Sequence, residues 1–285
     1  MLFEMAVADA YSAAFEFTSP QFVDKYHDMA TYVVHETYND PDTVRTEAGQ
    51  YTDDTQMSIA IAELVCQNGI WNQFHTLNRI LKVFKRDPRR GYSKRMFKAL
   101  ELSTDANCLM RFISPMATTN GACIRSVPLA FLPYDKIIPA AYAQASATHA
   151  SKNGIESSCL VGLIGYELLH GSNIDDAIRV SCQKLEIKPL VPYKGMSVPC
   201  NGFITVRASV TLLQVCDNLY DILDGAVLMG GDTDSVAAVA VGLASLSALY
   251  ENNLPESLMT GLEPNNNQYG IDFLKNLDSK LLKIV

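Results

Sequence analysis

The stretch YTDDTQMSIAIAE, residues 51–63, places two adjacent aspartates between two threonines at the start of an apolar run. Apolar side chains then recur at the helical spacing i, i+4, i+7 and i+8, at Met57, Ile61, Leu64 and Val65. A parallel phrase, GGDTDSVAAVAVG, occupies residues 230–242 and carries a similar apolar stripe. We therefore expect two buried helices that each begin with carboxylates and hydroxyls.

Helical spacing also governs the rest of the chain. Four further stretches predict helices or helical regions, at residues 137–151, 155–171, 206–229 and 270–284. Strand signals, in which apolar and polar residues alternate between turns, are scarce. No shift in composition marks a domain boundary, so the sequence predicts one mostly α-helical domain over residues 1–285.

Bulk composition limits the partners that the protein is expected to bind. The chain has 23 basic and 31 acidic residues, a net charge of −8, which disfavours binding to nucleic acid. The basic stretch KRDPRRGYSKR, residues 85–95, is interpreted as a solvated helix end and loop. The longest uncharged run, residues 235–250, is short for a membrane span and predicts a core helix.

The cysteines and the amino terminus favour a cytoplasmic protein. The seven cysteines form no CxxC pair and most have apolar neighbours, which favours buried, reduced thiols over disulfides. The first ten residues contain two acids and lack the basic n-region of a signal peptide. We expect a monomer in the cytoplasm with no membrane partner.

The two acidic clusters predict a cation site. One aspartate caps a helix start, but a second adds repulsion and a desolvation cost that a bound cation would relieve. The clusters offer carboxylate and hydroxyl oxygens, a donor set that suits Mg²⁺, Mn²⁺ or Ca²⁺ rather than zinc. Four carboxylates exceed the needs of one divalent ion and suggest two. The candidate ligands are Thr52, Asp53, Asp54, Asp232, Asp234 and Ser235.

Five motifs follow one another along the chain in the order of a known family. They are VADAYSAAFEF at residues 7–17, YTDDT at 51–55, NGACIRSVPLAF at 120–131, ATHAS at 147–151 and GGDTDSVAAVAVG at 230–242. In this order they resemble the ADP-ribosylglycohydrolase family, which includes the hydrolases that remove ADP-ribose from arginine, from serine and from dinitrogenase reductase. The ATHAS segment resembles a Thr-His helix segment of that family.

The resemblance implies a fold and a metal centre. A family member would be a compact orthogonal bundle of helices, with two Mg²⁺ ions, or Mn²⁺ in their place, at the base of a cleft that receives ADP-ribose. The six candidate ligands match the metal-binding positions of the family. Asp53, Asp54 or Glu16 would handle the proton of the attacking water, and the sequence leaves this choice open. Asp9 is expected to be structural.

The resemblance also implies residues that bind the substrate. Asn120, Gly121 and Ala122 match the loop that cradles the diphosphate, where a glycine lets main-chain N–H groups approach phosphate oxygens. Arg125 would either bind phosphate or brace this loop through a buried ion pair. His149 would either contact the ligand or be a satisfied core residue.

The leading functional hypothesis is a Mg²⁺-dependent hydrolase that cleaves the glycosidic bond between ADP-ribose and an acceptor. The acceptor would be a protein side chain, arginine or serine, so that the enzyme reverses ADP-ribosylation. Threonines precede the glycine-containing loop at residues 118–119, where the arginine-directed branch tends to have an acidic residue. Two alternatives keep the fold: cleavage of a small-molecule ADP-ribosyl conjugate, and a non-enzymatic copy that binds ADP-ribose or is purely structural.

Overall fold

The computed structural model describes residues 1–34, 47–264 and 267–285, which form helices joined by loops. The helices of the first half are α1 Leu2–Ser12, α2 Pro20–Tyr26, α3 Asp53–Cys66, α4 Gln73–Arg86, α5 Lys94–Leu102, α6 Ala106–Phe112 and α7 Gly121–Ile124. Those of the second half are α8 Tyr134–Ser146, α9 Lys152–Leu169, α10 Ile174–Lys184, α11 Gly202–Val215, α12 Leu219–Met229, α13 Thr233–Ala244, α14 Glu256–Gly261 and α15 Ile271–Leu281. Short 3₁₀ helices span Ala13–Phe15 and Val127–Phe131.

The prediction of an all-α protein is confirmed. In the described ranges, β-type pairing is limited to isolated bridges such as that between Val198 and Gly231. The helical region at residues 206–229 resolves into α11 and α12, because Asn218 caps a new helix by accepting the Asp221 N–H at 2.9 Å. None of the helices in these ranges combines the length and apolar character needed to cross a bilayer.

Helix α13 lies at the centre of the bundle, and every one of its residues is buried. Its sequence of alanine, valine and glycine lets neighbouring helices approach closely, and it packs against α1, α9, α11 and α12. Helix α3 packs against α1, α4 and α15 and also contacts α13. The amino-terminal ends of α3 and α13 meet, since the Ser235 hydroxyl donates to Asp54 Oδ2 at 3.0 Å.

The interpretation of residues 85–95 as a solvated segment is wrong for Arg89 and Arg90, both of which are buried. Arg89 forms an ion pair with Glu263, and its guanidinium carbon lies 3.9 Å from the centroid of the Tyr51 ring. The partner comes from a distant part of the chain, so the local charge run did not indicate it.

The expected helix at residues 137–151 ends early. Helix α8 stops at Ser146, so Thr148 and His149 lie in the turn that follows rather than in a helix. The His149 N–H still donates to Ala145 O at 2.6 Å, but the next N–H, that of Ala150, donates to Pro115 O. The chain therefore leaves the helix in order to pair with the segment that precedes α7.

Candidate active site

A cavity of about 540 Å³ opens where the ends of α3, α7 and α13 converge. At one end it is lined by acidic and hydroxyl side chains, among them Glu16, Asp54 and Asp234. All of the site residues proposed from the sequence line this cavity except Thr52 and Ala122. Motifs that lie about 180 residues apart in the chain thus contribute to one concave surface.

Thr52 lies behind the cavity, where it is held by Asp9. The Thr52 N–H and hydroxyl donate to the two oxygens of the Asp9 carboxylate at 3.0 and 2.8 Å. The Thr55 N–H and hydroxyl add donations of 3.1 and 2.6 Å to the same carboxylate. Asp9 is fully buried and therefore has the structural role expected of it. Metal ligation by Thr52 stays a prediction.

Neutral groups orient three carboxylates of the cluster. Asp54 accepts from the Ser235 hydroxyl, and Asp234 Oδ1 accepts from the Ser235 N–H at 2.9 Å. Asp232 Oδ2 accepts from the side-chain amide of Asn120 at 2.6 Å. The amide of Asn120 thus connects the predicted diphosphate loop to the second acidic motif.

The electrostatics of the cluster are unfavourable to ionised carboxylates. Burial, followed by the charges of Asp9 and Glu16, raises the pKa of Asp53 well above its ordinary value. Burial and the charge of Asp53 do the same to the pKa of Asp54, against which the Ser235 hydrogen bond is the main opposing influence. Burial and Glu16 also raise the pKa of Asp234. Positive charge brought into this end of the cavity would be strongly stabilised.

This donor set fits divalent cations that prefer oxygen. Asp53, Asp54, Asp232 and Asp234 supply carboxylates to a small volume in which their negative charge accumulates, and Ser235 adds a hydroxyl. Mg²⁺ and Mn²⁺ prefer such ligands. The residues present therefore fit the predicted ions, while their number and positions stay predictions.

The loop before and within α7 forms the middle of the cavity. Gly121 is close to His149, because a Cβ atom at this glycine would lie 3.3 Å from His149 Cε1. The side chain of Ala122 is fully buried, and its carbonyl accepts from Gln144 Nε2 at 2.9 Å. The structure thus exposes Gly121 to the cavity but places Ala122 behind its wall.

Arg125 braces this loop through neutral partners rather than through the ion pair considered from the sequence. Its Nε donates to Gln144 Oε1 at 2.5 Å, and its Nη2 donates to Gln144 O and to Thr148 Oγ1, both at 2.8 Å. Burial lowers the pKa of Arg125 to about 10, so the guanidinium stays charged at neutral pH. Its charge also reaches the cavity that it lines.

His149 is a buried, neutral imidazole on the cavity wall. Its Nδ1 lies 2.7 Å from Thr148 Oγ1, and its Nε2 lies 2.8 Å from Thr119 Oγ1. Burial, followed by the charge of Arg125, lowers its pKa to about 3. The sequence left two roles open for His149, contact with the ligand and a hydrogen-bonded core residue. The two roles are compatible, since both ring nitrogens are hydrogen-bonded and the ring still lines the cavity.

Comparison with known proteins agrees with this arrangement of motifs. The model of the ADP-ribosylglycohydrolase family matches residues 1–283. The chain belongs to this family. A solved structure described as an ADP-ribosylglycohydrolase-related protein complex superposes with a TM-score of 0.70 at 19% identity, covering 99% of this chain and 95% of that one. It therefore shows that the fold is shared.

Two characterised relatives of this ADP-ribosylglycohydrolase family member are similar over much of its length. The ADP-ribosylarginine hydrolase Tri1 of Serratia proteamaculans is 24% identical over 74% of this chain, which spans 63% of that protein. The ADP-ribosyl-[dinitrogen reductase] glycohydrolase of Rhodospirillum rubrum is 25% identical over 91% of this chain and 87% of its own length. Both names describe hydrolases of ADP-ribosyl groups.

Cys200 is the main site residue that the sequence analysis missed. The sequence favours buried thiols for the cysteines in general, yet Cys200 is exposed and lines the acidic end of the cavity. Its Sγ and carboxylate oxygens of Glu16 and Asp232 all lie within 4.8 Å of one another. The loop that carries Cys200 approaches Asp232 through main-chain pairing of Val198 with residues 230–232, which local sequence does not signal.

The end of the cavity away from the carboxylates is largely apolar and was also not anticipated. Its lining comes from α5, from the last residue of α6 and from the segment that follows, with Met96, Phe112, Ile113 and Met116 as the larger apolar side chains. Arg95 is the basic residue of this region, and its Nη2 is 3.4 Å from Phe112 O. The cavity thus combines a charged end with an apolar one, as ligand sites commonly do.

The first prediction concerns the pH dependence of stability. His149 stays neutral in the folded protein, whereas the unfolded chain binds a proton below its ordinary pKa of 6.5, so stability is lost as pH falls below that value. Between pH 7 and pH 5 we expect the free energy of unfolding to fall by about 2 kcal/mol more in the unaltered protein than in His149→Gln. Denaturant titrations at the two pH values measure the difference, and equal losses would contradict the neutral assignment.

The second prediction concerns Cys200. Partial burial of the thiol within this otherwise exposed residue, together with the neighbouring Asp232, raises the pKa of Cys200, so alkylation by iodoacetamide should be slow at pH 7 and faster at pH 9. The adduct should abolish stabilisation of the protein by ADP-ribose, because it occupies the acidic end of the cavity. Cys200→Ser should resist this effect, while the control Cys108→Ser should remain sensitive. Equal sensitivity of both variants would contradict the placement of Cys200.

Proposed function

We propose that this protein is a divalent-cation-dependent hydrolase that cleaves the bond between ADP-ribose and a protein side chain. The observation that supports it most is the cluster of four carboxylates at one end of a cleft in a member of this family. A purely structural copy of the fold would gain nothing from the burial and the mutual repulsion that raise the pKa values of Asp53, Asp54 and Asp234.

The proposed cation site uses six residues of this chain. Thr52 belongs to it by its place in the first motif, and the other five by their place in the cavity. Bound Mg²⁺ or Mn²⁺ would supply the positive charge that orients ribose hydroxyls and favours deprotonation of a water molecule. The ligands would be Thr52, Asp53, Asp54, Asp232, Asp234 and Ser235.

The proposed reaction requires that a proton leave the attacking water while positive charge develops at the anomeric carbon. Asp53, Asp54 and Glu16 line the cavity at this end and are the candidate proton acceptors. Their negative charge would also stabilise the oxocarbenium-like transition state, which is positive where the ribose faces them.

The remaining cavity residues would hold the rest of ADP-ribose. Gly121 lets the main chain approach the diphosphate, and His149 and Thr119 offer neutral hydrogen-bonding groups beside it. Arg125 would act mainly by holding this loop in place, with its charge as a secondary attraction. The apolar end would exclude water from the nucleoside part of the ligand.

The proposed acceptor is a protein side chain, either arginine or serine. The names of the two relatives support a protein acceptor, since one acts on ADP-ribosylarginine and the other on dinitrogen reductase. All seven cysteines are free thiols, which supports action in the reducing cytoplasm. The enzyme is proposed to act as a monomer, because residues of one chain bring the carboxylates and the predicted diphosphate loop to the same cavity.

The third prediction tests the function directly. ADP-ribosylated arginine and serine peptides should release ADP-ribose in the presence of Mg²⁺ or Mn²⁺, and EDTA should stop the release. Asp234→Asn should lower the rate by about 10³-fold, the scale of several kcal/mol of electrostatic stabilisation. The same variant, freed of cations, should melt at a higher temperature than the unaltered protein, because one buried repelling charge has been removed.

The matched control is Asp135→Asn, which changes a solvent-exposed carboxylate and should alter neither rate nor melting temperature. Release that persists in EDTA would refute the cation dependence. Stabilisation by ADP-ribose without release from either peptide would support the non-enzymatic alternative, and release only from a small conjugate would support the small-molecule one.

A further inference from the structure

Hydrogen bonds hold the main chain at the beginning of α3. The Thr52 N–H donates to Asp9, as described above, and the Asp53 N–H donates to Arg90 O at 2.7 Å. Tyr51, which precedes them, has both of its main-chain groups bound by side chains that lie outside the cavity lining. Those side chains belong to Arg89 and Glu263.

Arg89 and Glu263 form a buried ion pair around Tyr51. Arg89 Nη1 donates to Glu263 Oε1 at 2.5 Å, and Arg89 Nη2 donates to Glu263 Oε2 at 3.0 Å. Glu263 Oε1 also accepts the Tyr51 N–H at 3.1 Å, while Arg89 Nη1 donates to Tyr51 O at 3.3 Å. The pair therefore holds both main-chain polar groups of Tyr51, the residue that leads into the TDDT motif.

The same pair fixes the loop that touches the Asp53 carboxylate. Gly91 follows Arg89 by two residues and has a left-handed φ of +100°. A Cβ atom at Gly91 would lie 1.9 Å from Asp53 Oδ1, so no side chain is accommodated between the loop and the carboxylate. Displacement of Arg89 would move this contact as well as the main chain at Tyr51.

Stability alone does not account for burying this pair. Two charges removed from water gain little over apolar residues of the same volume, because desolvation offsets most of their attraction. The geometry of the Arg89–Glu263 pair, by contrast, is specific, since a guanidinium can donate hydrogen bonds to a carboxylate and to a carbonyl at the same time. What the pair provides is a fixed position for the residues that follow Tyr51.

We propose that Arg89 and Glu263 are positioning residues, which set the place of the Asp53 carboxylate and thereby the affinity of the site for its cation. This inference rests on the proposed function, because it presumes that the carboxylates bind a cation. It adds residues that lie outside the cavity and outside the acidic motifs. Loss of such an outer contact typically weakens metal affinity or activity about 10–100-fold.

The fourth prediction uses Glu263→Gln, with Glu63→Gln as the matched control. Glu63 lies near the other end of α3, where it pairs with Arg79 and Arg86 at 2.9 and 2.7 Å. Both variants replace a paired glutamate by its neutral isostere, and both should lower the melting temperature. Calorimetric titration with Mn²⁺ should show affinity weakened about 10–100-fold in Glu263→Gln and unchanged in Glu63→Gln.

A double variant, Arg89→Met with Glu263→Gln, removes both charges of the pair and leaves only the partly exposed Asp87 without its arginine. It replaces the single variant in these measurements if the single variant does not fold. It should lose Mn²⁺ affinity to a similar degree. In hydrolysis assays the Mn²⁺ concentration for half-maximal rate should rise more than KM for the peptide, which a general loss of stability would not produce.

Three outcomes would overturn the inference. Wild-type Mn²⁺ affinity in a folded Glu263→Gln or double variant would refute it while leaving the proposed function intact. Absence of Mn²⁺ binding by the unaltered protein would refute the proposed function and this inference together. A loss of Mn²⁺ affinity in Glu63→Gln equal to that in Glu263→Gln would also refute the inference, because the effect would then follow from helix stability.

Discussion

Mutual repulsion among buried carboxylates is the constraint on which the rest of this structure depends. Asp53 and Asp54 come from the beginning of α3, and Asp232 and Asp234 from the beginning of α13. Burial and the neighbouring charges raise the pKa values of Asp53, Asp54 and Asp234, so the cluster costs stability at neutral pH. Apolar packing in the core offsets this loss of stability. Helix α13 is buried along its whole length and cannot move away from α3 without exposing apolar surface.

The surroundings of the cluster hold it in place without cancelling its charge. Ser235 and Asn120, which are neutral, donate hydrogen bonds to Asp54 and Asp232. The positive charge of Arg89 lies one layer further out, where it pairs with Glu263 and Asp87. An arginine inserted among the carboxylates would compete with a divalent cation for the same oxygens. Functional sites commonly retain electrostatic repulsion that lowers the stability of the fold.

Patterns within single segments were enough to predict the all-helical fold and the two helices that begin with acidic motifs. YTDDT and GDTDS each combine a helix start with more negative charge than a cap requires, and this excess is visible in the sequence. Cys200 and Arg89 could not be found in the same way, because each acquires its role from a partner far along the chain. For Arg125 the sequence leaves phosphate binding and bracing of the loop open, and it does not predict the neutral partner Gln144, since spacing does not show which side chain faces the guanidinium.

The central claim is that the two acidic motifs join into one cation site when the chain folds. Equilibrium dialysis of the cation-free protein against Mn²⁺, with the free ion followed by electron paramagnetic resonance, counts the ions bound per chain. The account predicts two ions per folded chain and none after unfolding in urea. A folded chain that binds no Mn²⁺ would contradict it.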